Sequence, residues 1–137
     1  MGARSGSLAV VLLSLVVGCT GQLQAQSSAR AAWQATPASV LKTTLRSVAA
    51  AQERYRAAHG RFAAGVEPLG LRPEPEVRVD ILGASATGWQ GRAVHRTQPG
   101  RSCVVFVGSL EGAEAPRTSA DHEMAGEEGV PRCDWMR

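Results

Sequence analysis

The sequence predicts an α+β domain, a long N-terminal α-helix packed on an antiparallel sheet of three or four strands. Helical periodicity outside the extreme N-terminus is confined to residues 38–60. After it come short alternating or continuous apolar runs separated by turns bearing Gly and Pro. A chain of 137 residues carries one such core and no second folding unit. The expected organisation is a signal peptide over residues 1–18, a flexible tether over 19–37 and the α+β domain over 38–137.

Residues 1–18 hold one basic residue, Arg4, ahead of an uncharged apolar run from Leu8 to Val17. That is the layout of a secretory signal, and the run is short for a bilayer span. It ends in Val16, Val17, Gly18 and Cys19, which resembles the lipobox of bacterial lipoproteins. The resemblance implies that Cys19 is lipidated, becomes the mature N-terminus and anchors the protein to a membrane. A competing reading is plain secretory cleavage after Ala25, in GQLQAQ, which removes Cys19 and releases a soluble periplasmic or secreted protein. Both routes account for the odd one of three cysteines and leave Cys103 and Cys133, which an oxidising compartment is expected to join in a disulfide.

Thr20 to Thr36 is Gln, Ser, Ala and Thr with one large apolar residue, Trp33. It is either a tether or an early helix that begins near Ser28 and bends at Pro37. Within the main helix Leu41, Leu45, Val48 and Tyr55 line one stripe, Gln52 fills the missing turn, and Ala49, Ala50 and Ala51 widen it. Thr36 supplies an N-cap, Pro37 a first helical residue and Gly60 a left-handed stop. Arg61 to Glu76, with Pro68, Pro73 and Pro75, is expected to cross over as irregular chain pinned by Phe62, Leu69 and Leu71.

Val77, Val79 and Ile81 alternate with Arg78, Asp80 and Leu82, the pattern of a half-buried strand. Gly83 to Gly88 is a turn. In Trp89 to Arg96 the face formed by Trp89, Gly91, Ala93 and His95 is expected to turn inward, its small residues admitting the helix closely, with Gln90, Arg92, Val94 and Arg96 on a wet face. Thr97 to Arg101 is a second turn. Cys103 to Val107 is continuously apolar, as befits a central strand covered on both faces. From Gly108 to Val130 the chain is acidic and poor in apolar residues, a long solvated loop whose far end Cys133 ties back.

Without residues 1–18 the chain has 14 basic residues against 12 acidic ones, a net of about +2. That is no phosphate-binding field, so nucleic acid is excluded as a partner. Charge is instead distributed unevenly. Lys42, Arg46, Arg54, Arg56 and Arg61 stand against Glu53 on the helix side, whereas Glu111, Glu114, Asp121, Glu123, Glu127 and Glu128 stand against Arg117 in the acidic segment. These six carboxylates form the candidate interaction loop, because loops on a rigid scaffold commonly carry binding.

No residue pattern points to a reaction. His59, His95 and His122 are scattered, and HEMAG at His122 lacks the second histidine of a zinc-protease helix. No serine lies in a GxSxG context, and a disulfide-bonded Cys103 is not a nucleophile. Asp121, Glu123, Glu127 and Glu128 are possible oxygen donors for Ca²⁺, but their spacing is not that of an EF-hand loop, and solvated carboxylates are the expectation. No catalytic residue, metal, cofactor or small-molecule substrate is expected.

The segment LKTTLRSVAAAQERYRAAHGRFA, the strand GWQGRAVH, and a cysteine on the following strand with another near the C-terminus resemble the heads of type IV pilins and the pseudopilins of type II secretion. Gln52, Glu53, Tyr55 and Phe62 fall at recurring head positions. The resemblance covers roughly Ala38 to the end. It implies a pilin-like head and a disulfide from Cys103 to Cys133 that closes a variable C-terminal loop. It also implies a non-enzymatic structural or interaction role beside pilus or secretion proteins of the envelope. The family's leader ending in glycine, and the hydrophobic helix with a glutamate at its fifth position, have no counterpart here, so the protein is not expected to be processed or polymerised as a pilin.

Overall fold

The computed structural model describes residues 36–136 together with Gly2. Apart from Gly2, the expected signal peptide, the expected lipid attachment at Cys19 and all but the end of the expected tether lie outside the described residues. Among the described residues one helix lies on a four-stranded antiparallel sheet, so the α+β class is as expected, but the helix is not the long one expected.

Helix α1 spans Pro37–His59. Thr36 is extended, with φ −71° and ψ 142°, and its side chain accepts a hydrogen bond from the Ser39 amide at 3.2 Å. The helix therefore starts at Pro37 and does not run through it from an earlier segment, and Thr36 and Pro37, counted with the tether, are the cap and first residue of α1. At the other end Gly60 sits at φ 72° and donates its N–H to the Arg56 carbonyl at 2.8 Å, the left-handed stop that an L side chain would strain. Leu41, Leu45 and Val48 are fully buried, Ala51 joins them, and Tyr55 is half-buried. Ala50 faces solvent and does not widen the stripe.

After α1 the chain turns at Phe62, whose N–H donates to the Ser85 carbonyl at 2.9 Å, and passes through a single 3₁₀ turn at Glu67–Leu69. It then forms a meander. Strands β1 (Val77–Ala84), β2 (Gly88–His95), β3 (Cys103–Gly108) and β4 (Arg132–Cys133) lie side by side in chain order, every neighbouring pair antiparallel. The ladder between β1 and β2 is regular from Val77 to Ile81, then slips by one residue before Gly83, leaving Leu82 unpaired. Both β2 and β3 are interior strands, and α1 lies mainly over them.

The inward face of β2 is the one expected, with Trp89, Ala93 and His95 buried. The purpose of Gly91 is different. A Cβ there would lie 2.7 Å from the Trp89 indole, so the missing side chain makes room for Trp89 to lie along its own strand, and the space does not admit the helix. The opposite face is wet at Arg96, which is exposed, but not along β2 itself. Val104 is fully buried although its neighbours Cys103 and Val105 point to the helix side, and Gln90, Arg92 and Val94 are only partly exposed. The segment that follows β3 supplies cover there: the Gln90 side-chain amide donates to the Glu114 carbonyl at 2.7 Å.

Candidate functional site

The acidic segment between β3 and β4 is folded onto the sheet. Its expected character as a solvated loop fails at Pro116, Thr118 and Ala125, all buried. The physical reason is that short polar side chains, some of them distant in sequence, satisfy backbone groups that a strand ladder would otherwise have satisfied. Thr118 and Glu123 exchange contacts across a tight loop, with the Thr118 N–H donating to the Glu123 carbonyl at 3.0 Å and the Glu123 N–H to Thr118 Oγ1 at 3.0 Å. Arg117 and Met124 form a bridge on either side of it. His122 occupies its tip at φ 54°, exposed.

The segment is fastened at its root by a disulfide and a carboxylate. Cys103 and Cys133 are directly opposed in the β3–β4 ladder and bonded, as expected. The next residue, Asp134, is 2 % exposed. Its carboxylate accepts from the Ser102 amide at 2.7 Å, the Asp121 amide at 2.7 Å and the Ala120 amide at 3.1 Å. Burial pushes its pKa up, but hydrogen bonds from the Asp121 amide, the Thr118 hydroxyl and the Ser102 and Ala120 amides overcome this and hold it below the ordinary carboxylate value. Ser102, also fully buried, receives the Ser119 amide on its hydroxyl at 2.9 Å.

The six carboxylates of the candidate interaction loop divide into two sets. Asp121 accepts from the Trp135 amide and lies 3.7 Å from Arg101; Glu123 pairs with Arg132; Glu128 accepts from the Gly108 amide at 2.6 Å. These three are committed to holding the segment together. Glu111, Glu114 and Glu127 have exposed side chains with no ion pair among the described residues, and they are the ones free to meet a partner. Exposed apolar groups accompany them: Met124 and Val130 on the segment, and Trp135 just beyond it, 62 % exposed with the Arg101 guanidinium 5.9 Å above its ring. Among the described residues no three His, Cys, Asp or Glu side chains come together as a metal site, because Asp121, Glu123 and Glu128 point to different partners.

The histidines sit apart. His59 stacks on Tyr55 at 4.0 Å and donates from Nδ1 to the Tyr55 carbonyl at 3.0 Å, in the last turn of α1, where the helix dipole favours it. His95 ends β2, buried. Its Nδ1 lies 2.8 Å from Thr97 Oγ1 and 3.3 Å from the Thr97 amide, and its Nε2 is 3.4 Å from Glu76 Oε2. His95 and Glu76 border a groove of about 1260 Å³ between the first half of α1 and residues 71–76, whose helix side carries the hydroxyls of Thr43, Thr44 and Ser47.

Sequence reasoning missed Asp134, Ser102 and Thr118, the buried polar centre of this region. The one visible signal was an aspartate beside a cysteine expected to be bonded, where a solvated side chain has little room. Compared with family models and with curated proteins, the chain matches none.

Proposed function

We propose that this chain is a non-enzymatic structural or interaction protein of the bacterial cell envelope, a pilin-like head held at the membrane by a lipid on Cys19. The observation that carries this reading is the closure of the C-terminal segment. A disulfide and a buried carboxylate fix a folded segment of acidic and apolar side chains to one edge of a helix-on-meander domain, presenting Glu111, Glu114, Glu127, Met124 and Val130 outward. Rigid presentation of a loop is what a contact surface requires, since ordering costs are met before the partner arrives. The disulfide itself supports export, because such bonds persist in oxidising compartments. Partners of this surface would be envelope proteins of a pilus or secretion assembly carrying basic groups around an apolar centre.

Intact mass spectrometry of the protein from its native envelope fraction tests the anchor. The expected species starts at Cys19, carries a diacylglycerol adduct and lacks two hydrogens at Cys103 and Cys133. An unlipidated chain starting at Gln26 would replace this reading with that of a soluble periplasmic binding or accessory protein. The groove bordered by His95 and Glu76 favours that second reading, as a concave site with hydroxyl, imidazole and carboxylate groups on its walls.

A further inference from the structure

The outer edge of β1 is an open ladder. The Arg96 amide donates to the Glu76 carbonyl at 2.8 Å, so residue 76 faces β2, and by the alternation of an antiparallel pair the backbone groups of Val77, Val79 and Ile81 face away from it. Of these only the Val77 N–H is used, by the Glu74 carbonyl at 2.9 Å. Among the described residues no other backbone bond reaches this edge between Arg78 and Ala84. Val79 and Ile81 are only half-buried on the core side, and Leu82 is 45 % exposed. On the other side of the strand Arg78 and Asp80 stand next to each other, 3.1 Å apart at their charged ends.

We infer that β1 pairs with β1 of a second copy of this chain, antiparallel and centred on Val79, joining two sheets into one. The charges select this register. Centred on Val79, each Arg78 lies opposite the other copy's Asp80, and Val77 lies opposite Ile81 on the core side. A shift of one residue towards either end brings Arg78 against Arg78 or Asp80 against Asp80, and a half-step shift places outward side chains opposite inward ones. The paired stretch, from the Val77 carbonyl to Ile81, coincides with the part of β1 that is regular before the slip at Leu82, the Val77 N–H remaining with Glu74. A two-fold axis through Val79 makes the contact self-complementary and closed, so it ends at a dimer and does not grow into a fibre. This deepens the reading of the head as an interaction module by naming one partner, and it depends on neither the lipid nor the acidic segment. The same charges and the same slip at Leu82 could instead serve to protect a solitary edge, and that is the competing outcome.

Sedimentation of the full-length chain in density-matched detergent separates the two. The wild type should shift towards twice the monomer mass with rising concentration. Arg78→Asp or Asp80→Arg alone places like charges opposite each other twice per dimer and should weaken association by about tenfold or more. An equimolar mixture of the two variants restores both attractive pairs and should recover dimer as heterodimer. Circular dichroism and thermal melting of each variant establish that it is folded. A wild type that stays monomeric to millimolar concentration, single variants that dimerise as well as wild type, or folded variants whose mixture stays monomeric would each overturn the inference. A monomeric wild type would leave lipid anchoring at Cys19 to be decided by its own mass measurement.

Discussion

Asp134 holds the backbone of Asp121, and Asp121 holds the backbone of the residue that follows Asp134. The Asp121 amide donates to Asp134 Oδ1 at 2.7 Å, and the amide of Trp135, the residue after Asp134, donates to Asp121 Oδ2 at 2.7 Å. The tip of the acidic segment and the chain's end are thereby clasped reciprocally, one step beyond the disulfide at Cys133. Two cross-links of different chemistry therefore close the same segment, and they can be separated experimentally.

The clasp should respond to acid. Because the Asp134 pKa is lowered in the folded protein relative to the unfolded value of about 3.9, its contribution is fully present above that value and is lost as pH falls through the folded pKa. Asp134→Asn keeps one acceptor oxygen and removes the charge, and should cost about 2 to 3 kcal/mol at pH 7. Urea denaturation at successive pH values should show the gap between wild type and variant constant above about pH 5 and closing below about pH 4. A gap unchanged down to pH 2 would mean that Asp134 carries no charge-dependent stability.

Opening the disulfide tests the other cross-link. Cys103 and Cys133 are separated by 30 residues, and on the chain-entropy model a loop of that size contributes about 3 to 4 kcal/mol through the unfolded state. Replacing both cysteines by serine should therefore lower the melting temperature substantially while leaving the segment docked, since its amides remain bonded to Asp134. Hydrogen exchange is the measurement: the Ala120 and Asp121 amides should stay protected in the Cys-free protein. If they exchange as fast as an open loop, the disulfide alone holds the segment.

Gly91 gives a third expectation. Gly91→Ala places a methyl group 2.7 Å from the Trp89 ring, which is fully buried and can move only by displacing its neighbours. Overpacking of this kind costs about 1 to 3 kcal/mol. Near-ultraviolet circular dichroism should change in the same variant, because it reports the setting of the indole. A variant as stable as wild type with an unchanged spectrum would mean that Trp89 does not depend on the gap.

Much of this fold was legible because helix α1 and the strands obey simple periods. Leu41, Leu45 and Val48 fall at helical spacing, Val77, Val79 and Ile81 at strand spacing, and Thr36 and Gly60 punctuate the helix by conformational preferences that act locally. The acidic segment was not legible for the same reason. Its order comes from Asp134 and Ser102 satisfying amides 13 to 32 positions away, which no local pattern announces, with Thr118 holding the Glu123 amide inside the segment. Carboxylates look alike in sequence whether they face water, as Glu111 does, or a backbone N–H, as Glu128 does. Gly91 misled in a subtler way, since a small residue signals close approach but not of what.

Gln52 provides the sharpest test of how a polar residue can belong in an apolar stripe. It is fully buried, and its amide makes both bonds of a strand-like pair with the Ala63 backbone: Nε2 donates to the Ala63 carbonyl at 2.9 Å, and Oε1 accepts from the Ala63 amide at 2.7 Å. This fixes the chain just past Gly60 and seats Phe62 in the core. Gln52→Leu leaves both Ala63 groups unpaired and should cost about 2 to 4 kcal/mol despite its apolar character. Gln52→Glu is more informative. An ionised carboxylate would face the Ala63 carbonyl, whereas a protonated one offers an O–H donor in place of the amide. Burial would raise the glutamate's folded pKa above its unfolded value of about 4.3, so the variant's stability should be greatest below that value and lost as pH rises through the folded pKa. Denaturation midpoints at pH 4 and pH 8, each compared with wild type at the same pH, check this. A deficit no larger at pH 8 than at pH 4 would show that the side chain escapes to solvent and that the Ala63 pairing is dispensable.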